Sequence, residues 1–452
     1  MSLTWTFRSA IPSVEWPAVP GPGAAIALAL QYQLEQTQWW PVAELQRHQF
    51  RQLQVMLNYA YDTLHFWRGR LKAAGYKPQQ DITPEWFRSL PLLTRAEVQS
   101  HGAALMGRAI PREHGALNTS QTSGSTGRPL VSYGNDVTQL FWRAFTLRDH
   151  VWHRRDLTGK LAAIRTAVEP SSMPGWGAAT DLAFETGTSV TLNIRTDIDA
   201  QLEWLQAENP DYLITYSSNL RALAARAPVL GVRLPRLQQV RTYGEALPAD
   251  LRELCGRAWN VPLADMYSAQ EVGYIALQCP RYEHYHVQAE NLLVEVLDDR
   301  NEPCEPGQIG RVVVTNLHNF AMPLVRYDIG DYAETGAECG CGRRLPVLKR
   351  IVGRVRNMVT LPDGRQHWAS IPSSQWGSAA PVTQLQMVQK SRAVILVRVV
   401  APQGLKPAER GKLVEALQAC LGYPFEMEIE QVSEIQRGAG GKFEEFLSEI
   451  NH

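Results

Sequence analysis

The stretch Thr122-Ser123-Gly124-Ser125-Thr126-Gly127-Arg128-Pro129 crowds hydroxyl side chains, two glycines and a guanidinium into one short run. Side chains this small leave the backbone N–H groups bare. Gly124 and Gly127 accept positive φ without a Cβ penalty, the hydroxyls of Thr122, Ser123, Ser125 and Thr126 donate to phosphate oxygens, and Arg128 adds a fixed positive charge. The run reads as a loop that wraps a phosphate chain.

Working outward from that loop, residues 42–75 carry apolar groups at helical spacing (Leu45, Phe50, Leu53, Met56, Leu57, Tyr61, Leu64) and predict helix. Residues 1–30 are rich in Pro, Trp and Ala without clear periodicity and read as a loose arm. Downstream, helical segments alternate with the short apolar stretches Leu161–Ala167, Ser189–Asn193, Tyr212–Tyr216, Gln238–Thr242 and Pro262–Met266, the pattern of stacked βα units. From about Asn291 strands dominate (Leu292–Leu297, Gly310–Thr315, Ala321–Arg326), with turns at 298–301 and 306–307, and predict a small β-rich module. Past Gly353-Arg354 the order is strand Gln384–Gln389, strand Val394–Val400, helix Pro407–Leu421, strand Glu426–Val432, then a glycine-rich loop ending at Lys442. The expected fold class is α/β. An N-terminal arm (1–40) precedes a large domain of βα subdomains plus the β-rich module (41–354), and a small α+β lid follows (355–452).

Composition narrows the class of function. The 452 residues, 44% hydrophobic, suffice for more than one domain of an ordinary enzyme. Lys+Arg and Asp+Glu stand at 45 each, so no net field favours nucleic acid or an anionic membrane. The N-terminus lacks a basic stretch followed by an apolar core, and its most apolar run, Ala24 to Leu30, falls short of a bilayer span; a cytoplasmic protein is expected. Six cysteines in so long a chain do not make a disulfide scaffold and read as reduced thiols. Cys255, Cys304 and Cys420 look ordinary. Cys279, the pair His284 and His286, Cys339 and Cys341 border the β-rich module, and three thiolates with one imidazole make a closed tetrahedral zinc set of structural type.

Seven motifs in order resemble the adenylate-forming superfamily of acyl-CoA synthetases and luciferase-like enzymes, in its phenylacetate-CoA ligase-like branch. The residue 61–67 segment followed by Leu90-Pro91-Leu92-Leu93-Thr94-Arg95 is similar to that branch's N-terminal region. The glycine-hydroxyl run resembles its phosphate loop, with Arg128 where Lys is more usual. Tyr243-Gly244-Glu245-Ala246-Leu247 resembles the adenine-side turn, and Tyr267-Ser268-Ala269-Gln270-Glu271 the segment usually written YGxTE. The 326–331 segment ending at Asp331 resembles the ribose-binding motif, Gly353-Arg354 the start of the hinge, and Gly441-Lys442 the C-terminal catalytic lysine.

The resemblance implies ATP as substrate, Mg²⁺ held by Glu271, and an acyl adenylate made from a carboxylic acid and passed to the thiol of CoA. Tyr267 would stack on adenine, Asp331 would accept the ribose hydroxyls, and Gly244, Glu245, Ala246, Ser268, Gln270 and Arg354 would border the nucleotide. Lys442 would bridge the attacking carboxylate and the α-phosphate, and Arg356 would be the pivot about which the lid turns between half-reactions. Arg356-Asn357 replaces the usual acidic pair there, and residues 359–364 replace a common glycine-bearing strand, so the second half-reaction has less motif support than the first. The resemblance favours His286 over His284 as zinc ligand. Trp142, Trp176, Tyr216, Tyr243 and Ala269 are the candidate acid pocket, beside Phe141 and Phe145, and suit an aryl or small acyl acid. An amine, a hydroxyl or a carrier-protein thiol is an alternative acceptor, as in natural-product or polysaccharide synthesis. A nucleotide-binding protein without catalysis is the alternative of another class. Large buried-face helices permit a homodimer.

Overall fold

A computed structural model describes residues 5–121, 130–166, 168–354, 357–368, 371, 373–437 and 442–450. The residue 122–129 loop, with Arg128, and the pivot residue Arg356 lie outside the described residues. The dominant element is a twelve-stranded sheet. Five neighbouring strands run parallel, in the order Ser189–Asn193, Leu161–Arg165, Tyr212–Thr215, Gln239–Tyr243 and Leu263–Ala269. One face of these strands is continuously apolar (Ala162, Ile164, Val190, Leu192, Leu213, Val240, in register across the sheet) and is buried in one cluster with residues of the crossover helices. The helices Ile198–Glu208, Ser217–Leu230 and Leu251–Trp259 supply those crossovers, and each ends on a left-handed residue, Asn209, Gly231 and Asn260. Beyond Leu263–Ala269 the sheet turns antiparallel through Gly273–Gln278, Tyr285–Val287, Val347–Arg354, Tyr327–Thr335, Ile309–Asn316 and Leu292–Leu297. The expected βα units and β-rich module are therefore two halves of one continuous sheet.

Three expectations are corrected. The N-terminal arm contains a helix, Pro22–Thr37, which packs on the helix Asp136–Trp152. Its buried stripe is Ala24, Ala27, Gln31 and Leu34, while Ile26 (56% exposed) and Tyr32 (69%) face outward, so the apolar contrast that betrays a helix in sequence is erased. Ala321–Arg326 is no strand: Pro323 has no N–H for a ladder, Arg326 takes φ +48°, and the Asn316 side chain holds the run by bonds to Met322 and Leu324. Residues 42–75 form two helices, Val42–Thr63 and His65–Ala73, broken at the extended Leu64.

Toward the C-terminus the strands Glu426–Gln431, Val394–Val400, Gln384–Gln389 and Phe446–Ser448 form a separate sheet in that order, covered by the helix Pro407–Leu421. Leu413, Leu417 and Leu421 recur every fourth residue on the buried side of that helix and meet Met387, Ile395, Val397 and Phe425 in a core of their own. Phe446–Ser448 was not anticipated; three residues carry no periodicity, and the strand exists because it pairs in parallel with Gln384–Gln389. No helix among the described residues is long and apolar enough to cross a membrane.

Candidate active site

The parallel strands end at one edge of the sheet, and the residues that leave them converge there: Thr166, Tyr216, Gly244-Glu245-Ala246 and Gln270-Glu271. Outside the carboxyl ends of such strands is where open α/β sheets receive ligands. A cleft of about 1630 Å³ opens there, closed on its other side by Arg354, Trp368 and the segment Lys442–Phe446.

Around Asp331, the Tyr267 hydroxyl donates to Oδ2 (2.8 Å) and Arg354 Nε donates to Oδ1 (3.1 Å). Burial, then the Asp331 charge, raises the Tyr267 phenol well above its ordinary value, so it stays a neutral donor. Asp331 lines the cleft, and each of its carboxylate oxygens has capacity to accept a further hydrogen bond. Glu271, 6% exposed, is met by Arg95 Nη1 at 3.0 Å. Arg95 follows the helix cap Thr94, whose reciprocal bonds with Glu97 fix the start of Arg95–Leu105. Arg95 had no assigned task in the sequence, because its partner lies 176 residues away. Ser268 and Gln270 line the cleft, and the Gln270 carbonyl accepts from Ser132 Oγ (3.4 Å) on the strand pair Leu117–Gln121 and Val131–Asn135, which brackets residues 122–129 in the chain.

Lys442 reaches the same edge. Gly244 turns at φ +78°, and the Lys442 Cε lies 3.5 Å from where a Cβ on Gly244 would stand. Lys442 lines the cleft, where desolvation by the surrounding walls, and then Arg354, lowers its pKa against the pull of Asp331, Glu245 and Glu271. Glu245 is buried, with its carboxylate accepting from the Ser218 N–H (2.8 Å), Ser218 Oγ (3.0 Å) and the Phe443 N–H (2.6 Å).

Of the acid-pocket candidates, Trp142, Tyr216, Tyr243 and Ala269 line the cleft, with Phe141 and Phe145. The Tyr216 and Tyr243 rings lie 4.7 Å apart, and Trp142 stacks near Tyr274 (6.4 Å, 29°). Tyr274 and Met266, further lining residues, sit on strands whose inward faces sequence alone did not identify. Trp176 is corrected: it does not line the cleft. Its indole N–H donates to the Gly159 carbonyl (2.8 Å) and its ring packs edge-on against Tyr212.

At the antiparallel end, Cys279, His284, His286 and Cys339 offer ligand atoms within 4.8 Å of one another. Cys279 and Cys339 sulfurs are 3.8 Å apart, and Cys341 Sγ lies 3.4 Å from His286 Nε2. With Zn–S about 2.3 Å and Zn–N about 2.0 Å, tetrahedral edges are roughly 3.8 and 3.5 Å, so the donor spacing fits zinc. His284 Nε2 and His286 Nδ1 are buried without hydrogen-bond partners among the described residues. Burial, then Arg343, lowers His286 to about 3, which leaves a neutral ring able to ligate. The four donors that lie mutually within reach are thus Cys279, His284, His286 and Cys339, with His284 where the sequence expectation has Cys341, whose sulfur stands beside His286.

Residues 371–449 match the family described as the CapK C-terminal domain. The phenylacetate-coenzyme A ligase of Thermus thermophilus is 25% identical over 335 residues, 71% of this chain and 73% of that protein. The crystal structure of 2-hydroxyisobutyryl-CoA ligase in the postadenylation state, in complex with R3-HIB-AMP, superposes with a TM-score of 0.71 at 20% identity over 91% of each chain. With 2-HIB-AMP and CoA in the thioesterification state, that ligase gives 0.59 at 19% identity over 98% of this chain and 97% of that one. The motif resemblance is borne out, and the fold is that of the adenylate-forming CoA ligases.

Proposed function

We propose that this chain activates an aryl or small acyl carboxylic acid with ATP and transfers the acyl group to CoA. The observation that carries the reading is the convergence of Lys442, carried by the C-terminal part, with Asp331, Glu271 and Gly244 of the large sheet at one edge. An acid oxygen attacks the α-phosphorus, the new O–P bond forms, and the bond to the β,γ-phosphates breaks to release pyrophosphate. Lys442 holds the two anions together, which otherwise repel. Asp331, fixed by Tyr267 and Arg354, receives the ribose hydroxyls. Glu271, oriented by Arg95, and the hydroxyls of residues 122–126 would face the phosphates. Glu271 would hold Mg²⁺, which supplies charge neutralisation on the phosphate oxygens. In the second half-reaction the CoA thiolate attacks the acyl carbon, the C–S bond forms, and AMP leaves.

Residues 41–354 are the adenylation domain and 355–452 the lid, turning about Arg356; the separate apolar core of the C-terminal sheet supports this division. Cys279, Cys339, Cys341 and His286 or His284 hold a structural zinc. The neutral aromatic wall of Trp142, Tyr216 and Tyr243 suits a flat or small acid.

Acid-dependent exchange of labelled pyrophosphate into ATP across a panel of aryl and short-chain acids tests the chemistry. One or more acids should support exchange, and product mass with CoA should show the thioester. Lys442→Ala should lower exchange by about 100-fold or more, the scale of losing a preorganised charge contact. No exchange with any acid overturns the reading. An acyl product formed only with an amine, alcohol or carrier protein moves the acceptor.

A further inference from the structure

We propose that Glu245 is a positioning residue for the adenylation step: its carboxylate joins the first turn of the Ser217–Leu230 helix to the backbone beside Lys442 and so holds that lysine at the sheet edge. The proposal rests on the adenylation reading above and gives Glu245 a task other than contact with adenine.

The carboxylate has partners on both sides of the cleft. From the large sheet's side, the Ser218 N–H donates to Oε2 at 2.8 Å and Ser218 Oγ to Oε1 at 3.0 Å. From the C-terminal side, the Phe443 N–H donates to Oε1 at 2.6 Å, one peptide unit beyond Lys442. Arg437 approaches the same place: its Nη1 donates to Ser218 Oγ (2.7 Å) and stands 3.7 Å from Glu245 Oε1. Its guanidinium also lies over the Phe443 ring, 5.9 Å from the centroid. Arg437 precedes Lys442 and Phe443 follows it, so the chain is tied on either side of the lysine to one Ser218–Glu245 pair.

The arrangement makes the charge conditional on the closed geometry. The Glu245 side chain is only 6% exposed, and a buried carboxylate is costly unless donors surround it. One of its three donors, the Phe443 N–H, and its ion-pair partner Arg437 come from the C-terminal part; when that part turns away, only Ser218 remains and water must replace the others. Burial raises the Glu245 pKa, and Arg437 with the Phe443 and Ser218 donors opposes the rise. The same carboxylate that stabilises this arrangement accepts from three N–H or O–H donors. A second tie, Arg221 to both Glu445 and Asp250, reinforces the contact without touching Lys442.

The test uses the full-length protein. Glu245→Gln keeps the shape but sets an amide N–H against one of three donors. Hydrogen exchange with MgATP as the only ligand should show faster exchange in the peptide covering Lys442–Phe446 than in the parent, with the Gln384–Val400 hairpin unchanged. This readout needs no acid, so it stands apart from failure of the ligase reading. With an acid found active in pyrophosphate exchange, kcat for adenylation should fall roughly 10- to 100-fold, the size expected for one charged hydrogen-bond set. The KM for ATP should move less than about threefold, and thioester formation from preformed acyl adenylate should fall much less than adenylation. Ser218→Ala should shift the same readouts in the same direction by a smaller factor. Unchanged exchange at Lys442–Phe446, an ATP KM that rises as much as kcat falls, or equal losses in the two half-reactions would each overturn the proposal.

Discussion

Asp265 lies within the strand Leu263–Ala269, with Oδ1 accepting from Thr242 Oγ1 (2.6 Å) and Oδ2 from the Tyr285 hydroxyl (2.7 Å). Burial raises its pKa to about 6, although those hydrogen bonds and Arg252 pull the other way. The folded chain therefore binds this proton more tightly than the unfolded chain, whose carboxyl titrates near 3.9. The associated stability is present below about pH 4 and is lost as pH rises through about 6, a change of roughly 3 kcal/mol at 1.36 kcal/mol per pKa unit. Asp265→Asn should remove that downward slope, read as the difference in urea-unfolding free energy from the parent between pH 4 and 7. Parallel pH profiles for the two chains would refute the assignment. Motifs singled out Lys442, Glu271 and Asp331 because each sits in a short run of restricted residue types, and the structure brings all three to one cleft. Trp176 was misplaced because an aromatic residue beside glycines reads alike in a pocket and in a packed loop, and only its bond to Gly159 tells them apart.

The helices Pro22–Thr37 and Asp136–Trp152 are joined by Arg148, whose side chain has no exposed surface. Its guanidinium donates to the Leu34 carbonyl (2.6 Å), to Gln288 Oε1 (2.9 Å) and to both oxygens of Glu290 (2.7 and 3.1 Å), flanked by the Phe145 and Trp152 rings. The C-terminal end of the first helix is thus tied, beyond its narrow apolar stripe, to the helix Asp136–Trp152 and to the loop residues Gln288 and Glu290. Arg148→Met should leave the Glu290 carboxylate buried without its cation and cost about 3–5 kcal/mol, seen as a lower midpoint in chemical denaturation. A change under about 1 kcal/mol would mean that Thr37, which also donates to Glu290 (2.7 Å), suffices as partner. Strands with strong β-branched or alternating patterns were legible to within a residue or two, as Ser189–Asn193, Leu292–Leu297 and Val394–Val400 illustrate. Elements defined by what they pair with, such as Phe446–Ser448, were not.

At the scale of the whole molecule, the cysteine and histidine donors close the antiparallel end of the large sheet. Cys279 follows one strand, His286 lies in the next, and Cys339 and Cys341 lie between Tyr327–Thr335 and Val347–Arg354. A tetrahedral ion there would fasten two segments far apart in sequence, the turn around residues 279–286 and the loop around 339–341, so metal analysis of the purified protein should find about one zinc per chain. Cys279→Ser should lose it, and chelation should lower the thermal midpoint. Metal-free protein of undiminished stability would argue against a structural ion. The order of apolar runs, turns and glycine-rich stretches by itself determined that this chain is an α/β protein, and it marked the hydroxyl-glycine run as a candidate phosphate loop. Those features are local: a hydroxyl-glycine run, a strand and a helix each declare themselves over a short span of chain through steric limits and periodicity. Only the tertiary structure decided that Arg95 meets Glu271, that Glu245 meets Phe443, and that Trp176 stands outside the cleft. Such contacts join residues whose separation along the chain carries no signal, because they are selected by burial and charge neutralisation once the sheet edge has gathered them.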